Sequence, residues 1–455
     1  MFKTRVGKAR IREETILKLQ YVIAAALSLA GTSGTVVSAQ DLLLTGAHII
    51  DPETRQVTDG NLLVRDGRVA GRPDSIPADF NGEIITLDGK WVMPAFVDLH
   101  THSFGDAVPG GRPEGLGTPT VAKHYLYAGT TAFLDLFGHE QGLVALRASQ
   151  RAGEFGGADL YASLSCLTAP EGHCTEYGVP TRTMSSPEEA RASVADLAKN
   201  KPDVVKFVYS PSDDQPSIDK ATLVAGIAEA SRHGIKSVIH IKTWQEMREA
   251  VEAGAAAVTH TPQGDMPADI PALLVSHGVV SIPTITVHNE YLNYFFDPAI
   301  LAAPMAQKLA SDRVKAAYRN TEMIARYQPG YDERKARNEM TLKSVGALAA
   351  GGVSVLLGTD GGNWGTVQGY SVHREMIKLS EAGVENWQVL AAASTGAADF
   401  LGLDYGVQDG ALANLVVLEA SPLDSIANTQ AISLVIKDGV VVDREALLAT
   451  TDQEG

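Results

Sequence analysis

Between residues 92 and 402 the sequence alternates between short apolar segments and helical stretches. This alternation is typical of parallel strands that are joined by helices, and eight such units are enough to close a barrel. The eight predicted strands are Val92–Leu99, Thr131–Phe137, Leu160–Leu167, Val204–Tyr209, Ser237–Ile241, Ala257–His260, Val279–Val287 and Val353–Thr359. A helical insertion at about 292–350 is expected to cover the barrel mouth. We therefore predict an α/β fold with a (β/α)8 TIM barrel.

The two flanks of this region have a different pattern. Residues 40–91 consist of short apolar segments separated by Asp-Gly turns, which is typical of antiparallel strands. The same pattern returns in residues 403–455, for example at Leu415–Leu418 and Ile432–Ile436. We expect these flanks to form one small β-sandwich domain, into which the barrel of residues 92–402 is inserted.

The first 39 residues differ from the rest of the chain. Several basic residues precede an apolar run at Tyr21–Ala30, and small residues follow up to Ala39. This order predicts a secretory signal peptide at residues 1–39 that is cut after Ala39, so the mature protein would be secreted or periplasmic. An uncleaved membrane anchor is the alternative, although the apolar run is short for a span. After cleavage we expect no stable membrane insertion.

The composition excludes several classes of protein. Hydrophobic residues make up 45% of the chain and charged residues 20%, which is enough apolar material for a buried core and excludes a disordered protein. There are 38 Lys+Arg against 54 Asp+Glu, for a net charge of −16. Such an acidic surface argues against nucleic acid or an anionic membrane as a partner. A small-molecule substrate is the expected partner, and a homo-oligomer is compatible with the sequence.

The chain has two cysteines, Cys166 and Cys174, in one Gly- and Pro-containing loop. In an oxidising compartment they could form a disulfide that stiffens this loop, and two free thiols are an equally good interpretation. Their spacing does not match a C-x-x-C metal motif.

Polar residues follow the predicted strands at their carboxyl ends, where barrel enzymes place their chemistry. His100 and His102 end the first strand, and residues two apart on an extended chain point the same way. Lys206 lies in the apolar fourth strand. The ends of the fifth, sixth and eighth strands carry the remaining candidates, which are His240, His260 and Asp360. Imidazole and carboxylate groups that converge in this way predict a metal site.

At these residues the sequence resembles the amidohydrolase superfamily, which comprises metal-dependent hydrolases on a distorted (β/α)8 barrel. It is most similar to the branch of imidazolonepropionase-like and dipeptidase-like enzymes. The resemblance rests on the motifs Gly89–His102, Ala128–Thr131, Pro170–His173, His373–Glu375, Asn414–Leu418 and Ile436–Gly439. The chain departs from the family near its end, where Ala411 and Asn414 replace a frequent Lys and Asp.

The resemblance implies two divalent metal ions, with zinc as the expected metal and manganese, iron and cobalt left open. His100 and His102 would hold the more buried ion with Asp360, and the pair His240 and His260 would hold the outer ion. Lys206 would be carboxylated by CO2, and its carbamate would bridge both ions. A bare ammonium would be poorly solvated there and repelled by the metals, which agrees with this role.

The expected reaction is hydrolysis of an amide-type bond in a dipeptide, an N-acyl amino acid or a cyclic amide, by a hydroxide that bridges the metals. Asp360 would be catalytic, accepting a proton from the attacking water and returning it to the leaving group. Candidate substrate contacts are Tyr209, His173 and His288. One alternative is a mononuclear deaminase on the same barrel, which would not need Lys206. An alternative of another class is a non-catalytic exported protein that binds small molecules.

Overall fold

The computed structural model describes residues 41–105, 108, 116–212 and 214–449, so the predicted signal peptide lies outside the described residues. The strands are β1 (Leu42–Asp51), β2 (Gln56–Arg65), β3 (Arg68–Gly71), β4 (Glu83–Thr86), β5 (Trp91–Pro94), β6 (Phe96–Thr101), β7 (Thr130–Asp135), β8 (Asp159–Ala162), β9 (Cys166–Thr168), β10 (Arg182–Thr183), β11 (Val204–Val208), β12 (Lys236–His240), β13 (Ala257–Thr259), β14 (Val280–Ile282), β15 (Leu415–Leu418), β16 (Ile432–Lys437) and β17 (Val440–Val441).

The helices are α1 (Thr118–Tyr127), α2 (Glu140–Arg151), α3 (Pro187–Leu197), α4 (Lys220–Arg232), α5 (Trp244–Glu252), α6 (Ile270–His277), α7 (Ile285–Phe296), α8 (Pro298–Ala302), α9 (Pro304–Leu309), α10 (Asp312–Tyr318), α11 (Thr321–Tyr327), α12 (Tyr331–Ala350), α13 (Tyr370–Glu381), α14 (Asn386–Ala393), α15 (Thr395–Phe400) and α16 (Arg444–Ala449). Short 3₁₀ turns occur at Thr175–Tyr177, Ala198–Asn200 and Ile426–Gln430. None of the helices in the described part of the chain is long and apolar enough to cross a membrane.

Two parallel sheets form the barrel wall, in the orders β6-β7-β8 and β10-β9-β11-β12-β13-β14. The third barrel strand is divided into β8, which pairs with β7, and β9, which pairs with β11. The bend between them includes Leu164, whose φ is 69°. The (β/α)8 fold class that the sequence predicts is confirmed by this arrangement and by the comparisons reported below.

The eighth segment of the barrel lies between β14 and β6 without forming a regular strand. Val355 forms a parallel bridge with Ser281, and Gly361 forms one with Thr101. Leu99 N donates to Leu357 O over 3.1 Å, which continues the contact between the first and eighth segments. These bonds connect the two ends of the wall.

The predicted seventh strand, Val279–Val287, is wrong in its second half. The strand β14 ends at Ile282, and α7 already begins at Ile285. Apolar and β-branched residues lie on both sides of this boundary, and the predicted strand ran through Pro283, which could have marked its end. The interval at about 292–350, predicted to be helical, contains α8 to α12 and the end of α7.

Strands from both ends of the described chain share one sheet of eight strands, in the order β17-β16-β15-β5-β1-β2-β3, with β4 beside β1. Alternate residues of β15 face opposite sides, as the geometry of a strand requires. Val416 and Leu418 join the large core cluster of the barrel and its helices, whereas Leu415 and Val417 join a cluster formed by the sheet itself. One face of the sheet therefore packs against the barrel and its helices, and the other face contributes to a separate core formed by the sheet itself.

Candidate metal centre

One half of the predicted centre, here called the aspartate half, consists of His100, His102 and Asp360. The Oδ1 atom of Asp360 lies 3.3 Å from Nε2 of His100 and 2.9 Å from Nε2 of His102. One ligand atom from each of the three residues lies within 4.8 Å of the others. The backbone fixes this arrangement, because Asp360 N donates to His100 O and His102 N donates to Gly361 O, both over 2.7 Å.

The buried carboxylate of Asp98 forms hydrogen bonds that hold the aspartate half in place. It accepts hydrogen bonds from the backbone N–H of His100 and from both the N–H and the hydroxyl of Thr359. The hydroxyl of Tyr125 donates over 2.9 Å to Oδ2, the oxygen that also accepts from the hydroxyl of Thr359. Burial raises the pKa of Asp98 to about 6, although these hydrogen bonds act in the opposite direction. Asp98 thus connects the ends of the first and eighth segments.

The other half, here called the lysine half, consists of Lys206, His240 and His260. The ring centroids of His240 and His260 are 4.5 Å apart, and that of His260 is 5.2 Å from His100 of the aspartate half. Lys206 is 3% exposed, and its Nζ has no hydrogen-bond partner among the described residues. All three residues line the same cavity as His100 and His102. The structure therefore brings together the six residues that the sequence predicts as ligands.

Burial sets the protonation of these groups. Desolvation lowers the pKa of His100, His240 and His260 well below the ordinary value for histidine. It also lowers the pKa of Lys206 to about 7. Burial alone would raise the pKa of Asp360, but the neighbouring imidazoles hold it well below its usual range. Burial therefore favours the neutral, metal-binding form of His100, His240 and His260, which lie near the ionised carboxylate of Asp360.

This donor set fits divalent metal ions. Neutral imidazole and carboxylate groups are the usual protein ligands of zinc and of related transition metals. The amine of Lys206 is the one group that does not fit as it stands, because a buried ammonium next to cations is unfavourable. Reaction of the neutral amine with CO2 would turn it into an anionic oxygen ligand, and its buried, unpartnered Nζ is compatible with that change.

The backbone is strained where the strands end. His260, Thr284 and Asp360 all have positive φ angles, at 73°, 49° and 58°. Residues with a Cβ rarely adopt this conformation, and it is especially unusual for a β-branched threonine. Such outliers persist only when their surroundings hold them in place, and they cluster at functional sites.

The centre opens into a cavity. The cavity is lined by five of the six predicted ligand residues, all except Asp360, and by the side chains of Phe104, Leu136, Phe137, Val208 and Tyr177. The rings of Phe104 and Phe137 are 5.6 Å apart, and those of Phe137 and Tyr177 are 6.3 Å apart. We call these three rings the aromatic wall. Its position predicts that an apolar part of a ligand would lie there.

The three predicted substrate contacts have different positions. His173 lines the cavity, with its ring 4.9 Å from His240 and its Nδ1 2.7 Å from Glu176. His288 is on α7, with its ring 5.5 Å from His260 and its Nε2 buried without a partner among the described residues. It is not one of the described cavity-lining residues.

The structure does not bring Tyr209 to the cavity, because it lies on the outward face of its strand. Lys206 and Val208 face the cavity, whereas Phe207 and Tyr209 belong to the core cluster outside it. The hydroxyl of Tyr209 donates to Glu249 on α5. The alternation of residues along the strand could have indicated this position from the sequence.

The structure joins Cys166 and Cys174 in a disulfide, a pairing that the sequence left open. Cys166 pairs with Lys206 across two neighbouring strands, and Cys174 lines the cavity. The disulfide therefore fixes the start of the loop that carries His173 beside the centre.

Several site residues were not predicted from the sequence. Asn363 donates from Nδ2 to Asp360 Oδ1 over 2.8 Å, and Thr284 Oγ1 lies 2.7 Å from His260 Nδ1. Asp98 and the aromatic wall complete the list. Asp98 could have been noticed, because it lies two residues before His100. The contacts of the other residues depend on loops and helix starts that periodicity does not locate.

Comparisons with known proteins agree with this arrangement. A family model described as "Amidohydrolase family" matches residues 91–442. An adenine deaminase of Lactobacillus delbrueckii subsp. bulgaricus is 36% identical over 62 residues, which is 14% of this chain and 11% of that protein. An imidazolonepropionase of Acinetobacter baumannii is 43% identical over 47 residues, or 10% of this chain and 11% of that protein. The chain thus matches about a tenth of the length of these curated relatives.

Solved structures resemble the protein over most of its length. A Xaa-Pro dipeptidase with bound methionine has a TM-score of 0.72 at 17% identity, covering 88% of this chain and 99% of that one. The ochratoxinase of A. niger has a TM-score of 0.68 at 20% identity, covering 89% of this chain and 96% of that one. At sequence identities of 17% and 20%, this structural similarity shows the fold alone.

Proposed function

Because the chain belongs to the amidohydrolase family, we propose that it is a metal-dependent hydrolase that cleaves an amide-type bond in a small molecule. The substrate class is a dipeptide, an N-acyl amino acid or a cyclic amide. The observation that carries the proposal is the buried, unpartnered amine of Lys206, which lines one cavity with five imidazoles, four of them from predicted ligands. The bound methionine in the similar Xaa-Pro dipeptidase supports an amino-acid part in the substrate.

In this proposal His100, His102 and Asp360 hold one divalent ion, and His240 and His260 hold a second. A carboxylated Lys206 would supply an oxygen ligand to each ion, and zinc is the preferred metal. The carbamate forms when the Nζ lone pair bonds to the carbon of CO2 and the nitrogen releases a proton. When bound, the metals make water more acidic and polarise the carbonyl of the substrate.

The residues of the chain perform the proton transfers and the positioning. Asp360 accepts a proton from the attacking water as the C–O bond forms, and it returns the proton to the nitrogen as the C–N bond breaks. Its low pKa keeps it ionised for the first step. Asn363, which donates to Oδ1, fixes the orientation of the carboxylate. The aromatic wall excludes water from one side and receives the apolar part of the substrate.

The test is a panel of dipeptides and N-acyl amino acids, assayed for release of free amine with and without a chelator. Metal analysis of the same sample should give two ions per chain. We expect turnover that the chelator abolishes and added zinc restores. Turnover that persists in the metal-free protein would contradict the proposal. Absence of turnover, with ligand binding that survives chelation, would favour the non-catalytic binding protein.

The role of Lys206 has a separate test. Lys206→Ala is expected to weaken metal affinity by roughly 10- to 100-fold, and Lys199→Ala, at an exposed lysine, is the control. Wild-type protein loaded with zinc and carbon-13 bicarbonate should give a carbamate NMR signal that Lys206→Ala lacks. Full metal retention in the variant, or an unchanged signal, would refute the bridging role.

A mononuclear deaminase is the second candidate, and the short matches to adenine deaminases favour it. The protein from Deinococcus radiodurans is 34% identical over 137 residues, which is 29% of this chain. The same assays separate the two functions, because a deaminase would release ammonia from adenine and carry one ion per chain. Lys206→Ala would then leave metal content unchanged.

Export remains part of the proposal. It rests on the basic, apolar and small-residue segments of residues 1–39 and on the disulfide between Cys166 and Cys174, since disulfides persist in oxidising compartments. Mass spectrometry of the exported protein should find a chain that begins after Ala39. An intact N-terminus on exported protein would overturn the cleavage.

A further inference from the structure

The residue immediately before α7 has an unusual conformation. Thr284 is fully buried and lies in the left-handed region, with φ 49° and ψ 51°. A β-branched residue avoids this region, so the surroundings of Thr284 must hold it there.

The hydroxyl of Thr284 does not cap the helix that it precedes. A threonine before a helix usually accepts a hydrogen bond from an N–H group of the first turn. Thr284 makes no such bond, and its Oγ1 lies 2.7 Å from Nδ1 of His260. The helix start therefore needs another acceptor for its N–H groups, which are buried and would otherwise be unsatisfied.

A carboxylate from a distant helix supplies that acceptor. Glu375 on α13 is fully buried, and its two oxygens accept from the N–H groups of Ile285 and Thr286, each over 2.7 Å. Burial raises the pKa of Glu375 to about 8, although the hydrogen bonds from these two N–H groups act in the opposite direction. The hydroxyl of Thr286 donates to Thr359 O over 3.1 Å, next to Asp360 in the chain.

We infer that Glu375 and Thr284 are positioning residues that orient His260 for metal binding. Because Glu375 caps α7, the hydroxyl of Thr284 is not needed as a cap. The same contact holds the turn between β14 and α7, in which Thr284 lies. Nδ1–H of His260 donates to Thr284 Oγ1, which leaves the lone pair of Nε2 for the metal. Such partners of metal-binding histidines fix the tautomer and the ring orientation. The inference rests on the metal role of His260 proposed above, and it does not depend on the substrate.

The test measures zinc affinity by competition with a chromogenic chelator in the full chain. Thr284→Val, which keeps the shape but removes the hydroxyl, and Glu375→Gln, which loses one of the two acceptors, should each bind zinc roughly 10- to 100-fold more weakly. Thr284→Ser should bind zinc as the wild type does. Nitrogen-15 NMR of His260 in the metal-free protein should show the ring proton on Nδ1. Thr284→Val should change how this proton is distributed between Nδ1 and Nε2. If Thr284→Val does not fold, Thr284→Ala carries the same test.

Glu290→Gln is the matched control, because Glu290 is another fully buried carboxylate that contacts Arg374 and Lys378 instead of the helix start. It should lower the melting temperature without changing zinc affinity or the His260 spectrum. Equal zinc affinity in Thr284→Val and the wild type would overturn the inference, as would an equal loss of affinity in Glu290→Gln. Failure of the wild type itself to bind zinc would instead refute the proposed function.

Discussion

Buried histidines occur in two regions of the molecule, and their partners differ. At the junction between α13 and the terminal sheet, His373 has a partner at both ring nitrogens. Nδ1 lies 3.1 Å from Thr429 Oγ1, and Nε2 lies 3.0 Å from Ala128 O. At the cavity, His100 and His102 point Nε2 toward Asp360, and their Nδ1 atoms are buried without a partner among the described residues.

Burial alone does not separate these groups. Desolvation lowers the pKa of His373 to about 4 and that of His100 well below the ordinary value. The difference is that the nitrogens of His373 are satisfied by protein, whereas those at the cavity converge on one carboxylate. An unpartnered nitrogen is not sufficient either, since His124 on α1 has one but is not a described cavity-lining residue. Convergence, more than burial, distinguishes a metal-binding histidine from a structural one.

Metal removal should have the largest expected effect, and it should act on the cavity histidines and not on His373. We expect a chelator to abolish turnover, because in the proposed function the cavity histidines hold the ions that activate water. It should also lower the free energy of unfolding by about 4 kcal/mol where zinc was present at about 1,000 times its Kd. Activity assays and chemical denaturation of the same samples measure both effects. If the chelator changed neither, the cavity histidines would be structural in the way that His373 is.

Asp360→Asn removes the proton acceptor of the cavity while keeping an oxygen that can contact a metal. We expect kcat to fall roughly 10²- to 10⁴-fold, because this is the usual contribution of general acid–base catalysis. Metal content should stay close to that of the wild type. Asp424→Asn, at an exposed aspartate, is the control and should leave both quantities unchanged. A variant of Asp360 with full turnover would remove this residue from the proton transfers.

The sequence was sufficient to predict the barrel and the convergence of the six candidate ligand residues, because both depend on periodicity and on the ends of strands. Lys206 lies within an apolar run that marks a strand, and His240 and Asp360 lie at the ends of such runs, so their convergence follows from the closed topology. The eighth segment was predicted as a strand, but it only bridges its neighbours at Val355 and Gly361.

Contacts between distant segments could not be predicted in this way. Glu375 belongs to a motif that the sequence analysis quoted for its resemblance alone, and its contact with Ile285 and Thr286 spans about 90 residues. Thr284 was assigned to a strand that in fact ends at Ile282. Side-chain bonds of this kind depend on how helices pack, and a single sequence contains no periodic signal for them.

His373 should contribute to the free energy of unfolding and not to turnover. Its lowered pKa favours the neutral form in the folded state, so its contribution to stability is complete above the unfolded pKa of about 6.5 and is lost as the pH falls toward 4. We expect a loss of about 2 kcal/mol by about pH 5. His373→Gln should remove this part of the pH dependence and cost about 1–3 kcal/mol at neutral pH through unsatisfied partners.

Urea denaturation of metal-free wild type and His373→Gln at several pH values provides the measurement. Without metal, the cavity histidines contribute equally to the free energy of unfolding of both proteins. Their contributions therefore cancel in the difference between the two curves. Zinc affinity at neutral pH should be the same in both proteins. A parallel pH dependence of the two curves, or a loss of zinc binding in the variant, would show that the two regions are not separate.

The smallest expected effect concerns two phenylalanines that each contact a histidine by its edge. Phe96 meets His373 at 5.5 Å at the junction, and Phe137 meets His102 at 6.3 Å in the aromatic wall. Phe96→Leu should lower the free energy of unfolding by about 1–2 kcal/mol and leave substrate preference unchanged. Phe137→Leu should reduce the kcat/KM preference for N-acetyl-phenylalanine over N-acetyl-alanine about tenfold, because an apolar contact is lost only with the larger substrate. If instead Phe96→Leu altered the preference and Phe137→Leu did not, the aromatic wall would not be the surface that the substrate contacts.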